Sequence, residues 1–196
     1  MLAGPYPVYS WGMPAHVLEV CVVHQLLPDA GKVGVTAIDK RPVRGPVQAG
    51  PYGLYADVQA DRKYHGGLDQ AIYAYSAEDA RYWEGELGRT TPAGWYGENL
   101  RVEGLDLTGA RIGEQWRIGE KLVVEVTAPR IPCQTFARRV GGDEQRGWVK
   151  RFMQAGRPGL YLRVVDRGAV AAGDPMTVLS SPESARTIGE VFAARG

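Results

Sequence analysis

The sequence predicts a mainly β fold with a few helices, a β-rich α+β domain of barrel or sandwich type. Three observations carry that expectation. Short β-branched or apolar runs recur along the chain. The 26 glycines and 13 prolines of the 196 residues are spread between those runs, as many tight turns require. The fullest set of helix signals follows a single serine, Ser76.

Residues 17–23 are β-branched and nearly all apolar, which predicts a buried strand bracketed by His16 and His24. Residues 33–38 repeat the pattern and run into Lys40-Arg41-Pro42-Val43-Arg44-Gly45-Pro46, where the prolines stop regular pairing. Residues 50–67 are rich in Gly, Asp and Tyr and read as a long connection, a kind of segment that usually carries function. A strand follows over 70–75. Ser76 then serves as N-cap with Asp79 three residues on, Ala80, Trp83 and Leu87 fall at helical spacing, and Gly88 ends the helix. Strands are expected over 99–102, 115–118 and 121–127. In the last, Leu122, Val124 and Val126 share one face. Residues 133–140 and 147–154 read as helices, and 159–165 and 175–179 as closing strands around the turn Asp166-Arg167-Gly168. No internal repeat or linker interrupts the chain. The expected division is an extension over 1–15, with Met13 a second candidate start, one domain over 16–181 and a short tail over 182–196.

Composition excludes several classes of function. Twenty-three basic against 22 acidic side chains leave a net charge of +1, so no global field draws nucleic acid or a membrane surface. No stretch approaches the roughly 20 apolar residues of a membrane span. Residues 1–10 contain no basic residue and no continuous apolar core, so a secretory signal is not expected. Two cysteines cannot staple a domain of this size, and a reduced, cytoplasmic setting is the expectation. Structural zinc spacing, phosphate loops, dinucleotide fingerprints and the α/β-hydrolase nucleophile elbow are all missing from the sequence.

Three segments carry chemistry. The first runs from Asp57 to Asp69 and places Asp61 and His65 just before the Gly66-Gly67 pair. Such glycines allow close backbone approach and an anion-binding nest, although dense charge in a turn also suits a solvated loop. In the second, Gly97-Glu98-Asn99-Leu100, Asn99 offers both a carbonyl and an amide to a ligand, or to a turn. The third is Pro129-Arg130-Ile131-Pro132-Cys133-Gln134. Its prolines stiffen the backbone around Arg130 and deliver Cys133 where a helix would start. A helix dipole and Arg130 would favour a thiolate there, the form that attacks electrophiles or binds a soft metal; a cysteine packed as a small hydrophobe is the alternative.

Taken in order, Lys40-Arg41-Pro42-Val43, the Asp61…His65-Gly66-Gly67-Leu68-Asp69-Gln70-Ala71 block, Gly97-Glu98-Asn99-Leu100, Pro129-Arg130-Ile131-Pro132-Cys133, the Gly156–Val164 segment and Gly168–Asp174 form a specific series. It resembles the MOSC domain, named for the C-terminal domain of molybdenum cofactor sulfurase, in its YiiM-like branch. The likeness runs from about Val17 to Leu179.

The resemblance implies a β-barrel, a pterin-bound molybdenum cofactor and one essential cysteine, matched by Cys133, which ligates molybdenum or carries sulfur. It also implies reduction of N-hydroxylated bases, amidoximes and hydroxylamines. Lys40, Arg41, Arg44 and Arg130 would hold the anionic cofactor, with Gly66, Gly67 and Asn99 beside it. His65 and Asp61 would handle protons. Longer relatives add a C-terminal helical domain or an iron–sulfur module. Here about fifteen residues follow Ser181, with no cysteine among them. The resemblance therefore implies a separate electron donor of ferredoxin or flavin-reductase type and a small N-hydroxylated substrate. The alternative is a sulfur carrier, with a persulfide on Cys133, or a cofactor-delivery module.

Overall fold

In the computed structural model of the chain, residues 14–60, 66–142 and 146–195 are described. Thirteen strands and four α-helices are present among them. The main sheet has eight strands in the order β13-β9-β10-β11-β7-β8-β1-β4. In chain order these are β1 (His16–Val23), β4 (Lys40–Pro42), β7 (Ile72–Ser76), β8 (Leu100–Glu103), β9 (Gln115–Ile118), β10 (Leu122–Pro129), β11 (Leu160–Asp166) and β13 (Met176–Ser180). Pairing is antiparallel except between β7 and β8, which run parallel across the helical crossover α1 (Ala77–Leu87). A second sheet joins β12 (Gly168–Val170), β5 (Val47–Gly50) and β6 (Gly53–Leu54). A small hairpin pairs β2 (Leu27–Pro28) with β3 (Val35–Thr36).

The expected barrel takes the form of a curled but open sheet. No ladder joins β13 to β4 among the described residues. One end is drawn together instead, where Val17 donates its N–H to Asp174 O (2.9 Å) and Met176 to Ala15 O (2.8 Å), around a bridge between His16 and Pro175. The concave face holds an aliphatic core to which β10 contributes Leu122, Val124 and Val126, all fully buried. Period-two alternation in the sequence thus becomes the inner face of the sheet.

A second, aromatic core lies under the helices. Trp83 of α1 stacks on Phe152 of α3 (Trp148–Ala155) at 5.6 Å and 10°. Phe152 meets Phe136 of α2 (Gln134–Gly141) edge-on at 4.8 Å. Helix α1 starts as the sequence predicts: the Ser76 hydroxyl accepts the Asp79 N–H at 2.9 Å and Gly88 closes it in the left-handed conformation.

Three expectations are corrected. Of residues 33–38 only Val35 and Thr36 form a strand, because the segment folds as a hairpin lip instead of joining the sheet. The connection over 50–67 begins with a hairpin, β5–β6. The last fifteen residues carry α4 (Ile188–Ala193), whose Ile188 and Phe192 are buried and whose Thr187 and Glu190 form a capping box. No helix among the described residues is long and apolar enough to cross a membrane.

Candidate functional site

A cleft of about 720 Å³ opens between the curled sheet, the β2–β3 lip and the start of α2. That size suits a cofactor or small molecule. Its walls include Lys40, Asn99, Arg130 and Cys133, residues singled out in three separate sequence segments. Strand alternation explains how β4 contributes one cation and not two. Lys40 points inward and is buried, while its neighbour Arg41 points outward with its side chain 56% exposed. Arg41 is bound instead to Asp39, Nη2 to Oδ2 at 3.4 Å, and Arg44 is exposed beyond the strand. Neither arginine is among the residues that line the cleft.

Lys40 is not a spare charge either. Its ammonium donates to Asp57 Oδ2, which also accepts from Asn99 Nδ2 (2.8 Å), while Asp57 Oδ1 takes the Val23 N–H (2.8 Å). Asn99 completes the network by donating to Cys21 O (3.3 Å) and accepting the Tyr73 N–H on Oδ1 (3.1 Å). Both of its amide hydrogens are used, so Asn99 ties β1, β7 and the Asp57 loop together rather than offering donors to a ligand. Asp57 was the residue missed by sequence reasoning. A lysine on the buried face of a strand demands a carboxylate, and that demand was the available signal.

Arg130 is different. It follows β10, is 7% exposed, and lies over the faces of Phe136 (3.8 Å to the ring centroid) and Tyr73 (5.6 Å). No carboxylate pairs with it among the described residues, and its Nη1 has no hydrogen-bond partner there. A buried, unpaired guanidinium costs several kcal/mol unless an anion meets it, on the order of the penalty for any uncompensated buried charge. Tyr161 of β11 is a further wall residue that sequence reasoning passed over, and its phenol lies within the influence of this guanidinium. Burial pushes the Tyr161 phenol above its ordinary value; the Arg130 charge pulls the other way and the neighbouring Cys133 adds to the rise. At neutral pH it is a protonated hydroxyl, able to donate.

Cys133 occupies the N-cap position of α2, in extended conformation, half-buried between the aromatic core and the cleft. Pro132 ends the preceding extended segment, and the helix then begins with Gln134. The other cysteine, Cys21, is sealed within β1, and burial drives its thiol far above the ordinary range. It is a packing residue.

Gly67 stands at φ 94°, which only glycine adopts easily, and donates its N–H to Gln59 Oε1 at 2.8 Å. Gln59 returns bonds to the carbonyls of Gly67 (3.3 Å) and Gln70 (3.2 Å). The Gly67 N–H is therefore committed to the loop and not to an anion nest, and neither Gly66 nor Gly67 belongs to the cleft wall. Asp61 and His65 lie outside the described residues. No cluster of three or more His, Cys, Asp or Glu suited to a metal ion occurs among the described residues.

A lip of the cleft is latched to the cysteine-bearing helix. Asp29 accepts from Thr135 Oγ1 (2.9 Å) and Arg138 Nη2 (2.6 Å), both on α2. Burial opposes ionisation of Asp29, but the bonds from Arg138, the Gly31 N–H and Thr135 outweigh it and hold the carboxyl below its ordinary value.

Comparison with known proteins finds several relatives of the chain. The chain is 37% identical to YflK of Bacillus subtilis over 171 residues, which are 87% of this chain and 75% of that one. It is 32% identical to YiiM of Escherichia coli over 151 residues, 74% of this chain and 64% of the relative. A protein of Gibberella moniliformis named as a reductase is 29% identical over 150 residues, 75% of this chain and 26% of that much longer one. The solved structure of YiiM from Geobacillus stearothermophilus superimposes with a TM-score of 0.74 at 29% identity, covering 93% of this chain and 84% of that one. Since the sequence profile of the MOSC domain also matches residues 61–177, the chain belongs to the MOSC domain family.

Proposed function

We propose that the protein binds a pterin-based molybdenum cofactor in this cleft and reduces small N-hydroxylated compounds of the hydroxylaminopurine or amidoxime type. The observation that carries the reading is Arg130, a buried guanidinium with an orphaned Nη1 beside Cys133 on the wall of the cleft. The residues fit such a group. A thiolate from Cys133 is a soft ligand suited to a sulfur-rich metal centre, and Arg130 is suited to an oxyanion. The cofactor, when bound, supplies the two-electron redox chemistry.

The chain's own residues bind, orient and donate. Arg130 anchors the anionic part of the guest, and the rigid Pro129–Cys133 segment fixes the sulfur relative to it. The N-terminus of α2 adds partial positive charge on the same side. The Tyr161 hydroxyl, on the same cleft wall, is available to donate a hydrogen bond to a departing oxygen. The overall conversion breaks the N–O bond of an amidoxime: two electrons and two protons enter, and an amidine and one water leave. Those electrons come from a separate donor protein of ferredoxin or flavin-reductase type.

The test is turnover of an amidoxime by protein purified from a cofactor-competent host. Wild type reduces it, and Cys133→Ala loses at least about a thousandfold in kcat/KM, the scale of removing a reacting group. Undiminished turnover by the variant ends this assignment. A sulfur carrier instead gives no turnover, and its Cys133 gains the mass of one sulfur atom after incubation with a cysteine desulfurase.

A further inference from the structure

Three large apolar side chains are both exposed and part of the cleft wall: Val33 (47% exposed), Val35 (40%) and Val58 (45%). The buried lining is mixed, with Ile38, Ala71 and Tyr73 beside Lys40, Asn99 and Arg130. A cluster of exposed aliphatic groups at the opening departs from the usual pattern, in which exposure goes with polarity. Ala30 and Ala60 extend the same apolar rim. None of the three valines belongs to either hydrophobic core. Val33 sits in the turn of a hairpin, between Gly31 and Gly34, where polar residues are the rule.

We infer that Val33, Val35 and Val58 form an apolar subsite at the cleft mouth that receives the uncharged hydrocarbon or aromatic body of the substrate. The inference rests on the reductase reading for its orientation: the N–OH end lies toward Cys133 and the body toward the mouth. The lip is fixed rather than loose. Asp29, four residues before Val33, is bound to Thr135 and Arg138 on the helix that begins beside Cys133, so subsite and sulfur belong to one preorganised frame. Two cations stand at this end, Lys32 and Arg138, and Arg138 is neutralised by Asp29. A small molecule is the occupant because the valines line a cavity of about 720 Å³, whereas a protein partner needs about 1,000 Å² of contact.

Two amidoximes with the same reacting group and different bodies test this: benzamidoxime and acetamidoxime. Wild type favours the phenyl compound by about ten- to a hundredfold in kcat/KM, the range for burying a few extra carbons. The same order of preference holds for dissociation constants measured by calorimetry on enzyme given no electron donor. The substitutions Val33→Asn and Val58→Asn, at exposed positions that do not threaten folding, together reduce the preference to within about threefold, while Val33→Leu with Val58→Leu keeps it. Absence of a preference in wild type, or an equal preference in the Asn variant, overturns the subsite while leaving the reductase reading intact. If neither compound turns over but the valine-dependent binding preference remains, the subsite stands and the reductase reading fails.

Discussion

Replacing Asp57 by alanine strips three donors of their acceptor at once: the Lys40 ammonium, Asn99 Nδ2 and the Val23 N–H. Side-chain exposure of Lys40 and Asp57 is 9% and 8%, so water cannot simply take the place of the carboxylate. Breaking a buried pair by removing one partner costs about 3–5 kcal/mol, because the remaining charge is left uncompensated. For a chain of this length that corresponds to a fall in Tm of roughly 6–20 °C. Lys40→Met alone leaves the Asp57 charge with two neutral donors and costs about the same. Lys40→Met combined with Asp57→Ala removes both charges and leaves only neutral N–H groups without acceptors, a loss of about 1–3 kcal/mol. The double variant is therefore much less damaged than the sum of the singles. Urea unfolding with an unchanged m-value is the assay. A loss below about 1 kcal/mol for Asp57→Ala, or strict additivity in the cycle, refutes the view that this wall is a neutral, closed network.

Arg130→Met should behave oppositely. With no carboxylate to strand and an uncompensated buried charge removed, stability of the cofactor-free protein stays level or rises by up to a few kcal/mol in urea titration, while pterin retention through gel filtration falls. At Gly159 the φ is 64° and an added Cβ would lie 2.5 Å from Ala74 O and 2.7 Å from a Tyr75 ring carbon, so Gly159→Ala costs about 3 kcal/mol or more by the same titration. The Asp29 latch is pH-dependent in a definite direction. Its carboxyl lies below the ordinary value when folded, so the stabilisation is complete above about pH 4 and is lost as pH falls through the folded value. The hydrogen-exchange protection factors of residues 29–36, relative to the intrinsic rate at each pH, should fall at low pH in wild type, and Asp29→Asn should show low protection already at pH 7.

How much of this was legible in the sequence depends on whether local chemistry or long-range pairing decides. Ser76 and Gly88 bound α1 as expected, because caps act within a few residues. Pro132 placed Cys133 at a helix start for the same reason. Residues 33–38 misled because β-branched side chains read as core strand, whereas Val33 and Val35 stay exposed at the cleft. The Lys40–Asp57–Asn99 network joins residues 17 and 42 apart in sequence, which no local pattern encodes. Arg41 and Arg44 drew attention as a basic cluster, but strand alternation turned Arg41 outward and Arg44 lies past the strand end. The Thr187…Glu190 capping box of α4 was a legible local signal within residues 182–196, which were read as a short tail.

The most direct test of the central claim is X-ray absorption at the molybdenum edge, with metal and pterin content, for wild type and Cys133→Ser from one cofactor-competent host. The account predicts molybdenum and pterin near one per wild-type chain, and one fewer sulfur scatterer, or no metal, in the variant. Identical metal content and identical sulfur coordination in the two proteins would contradict it.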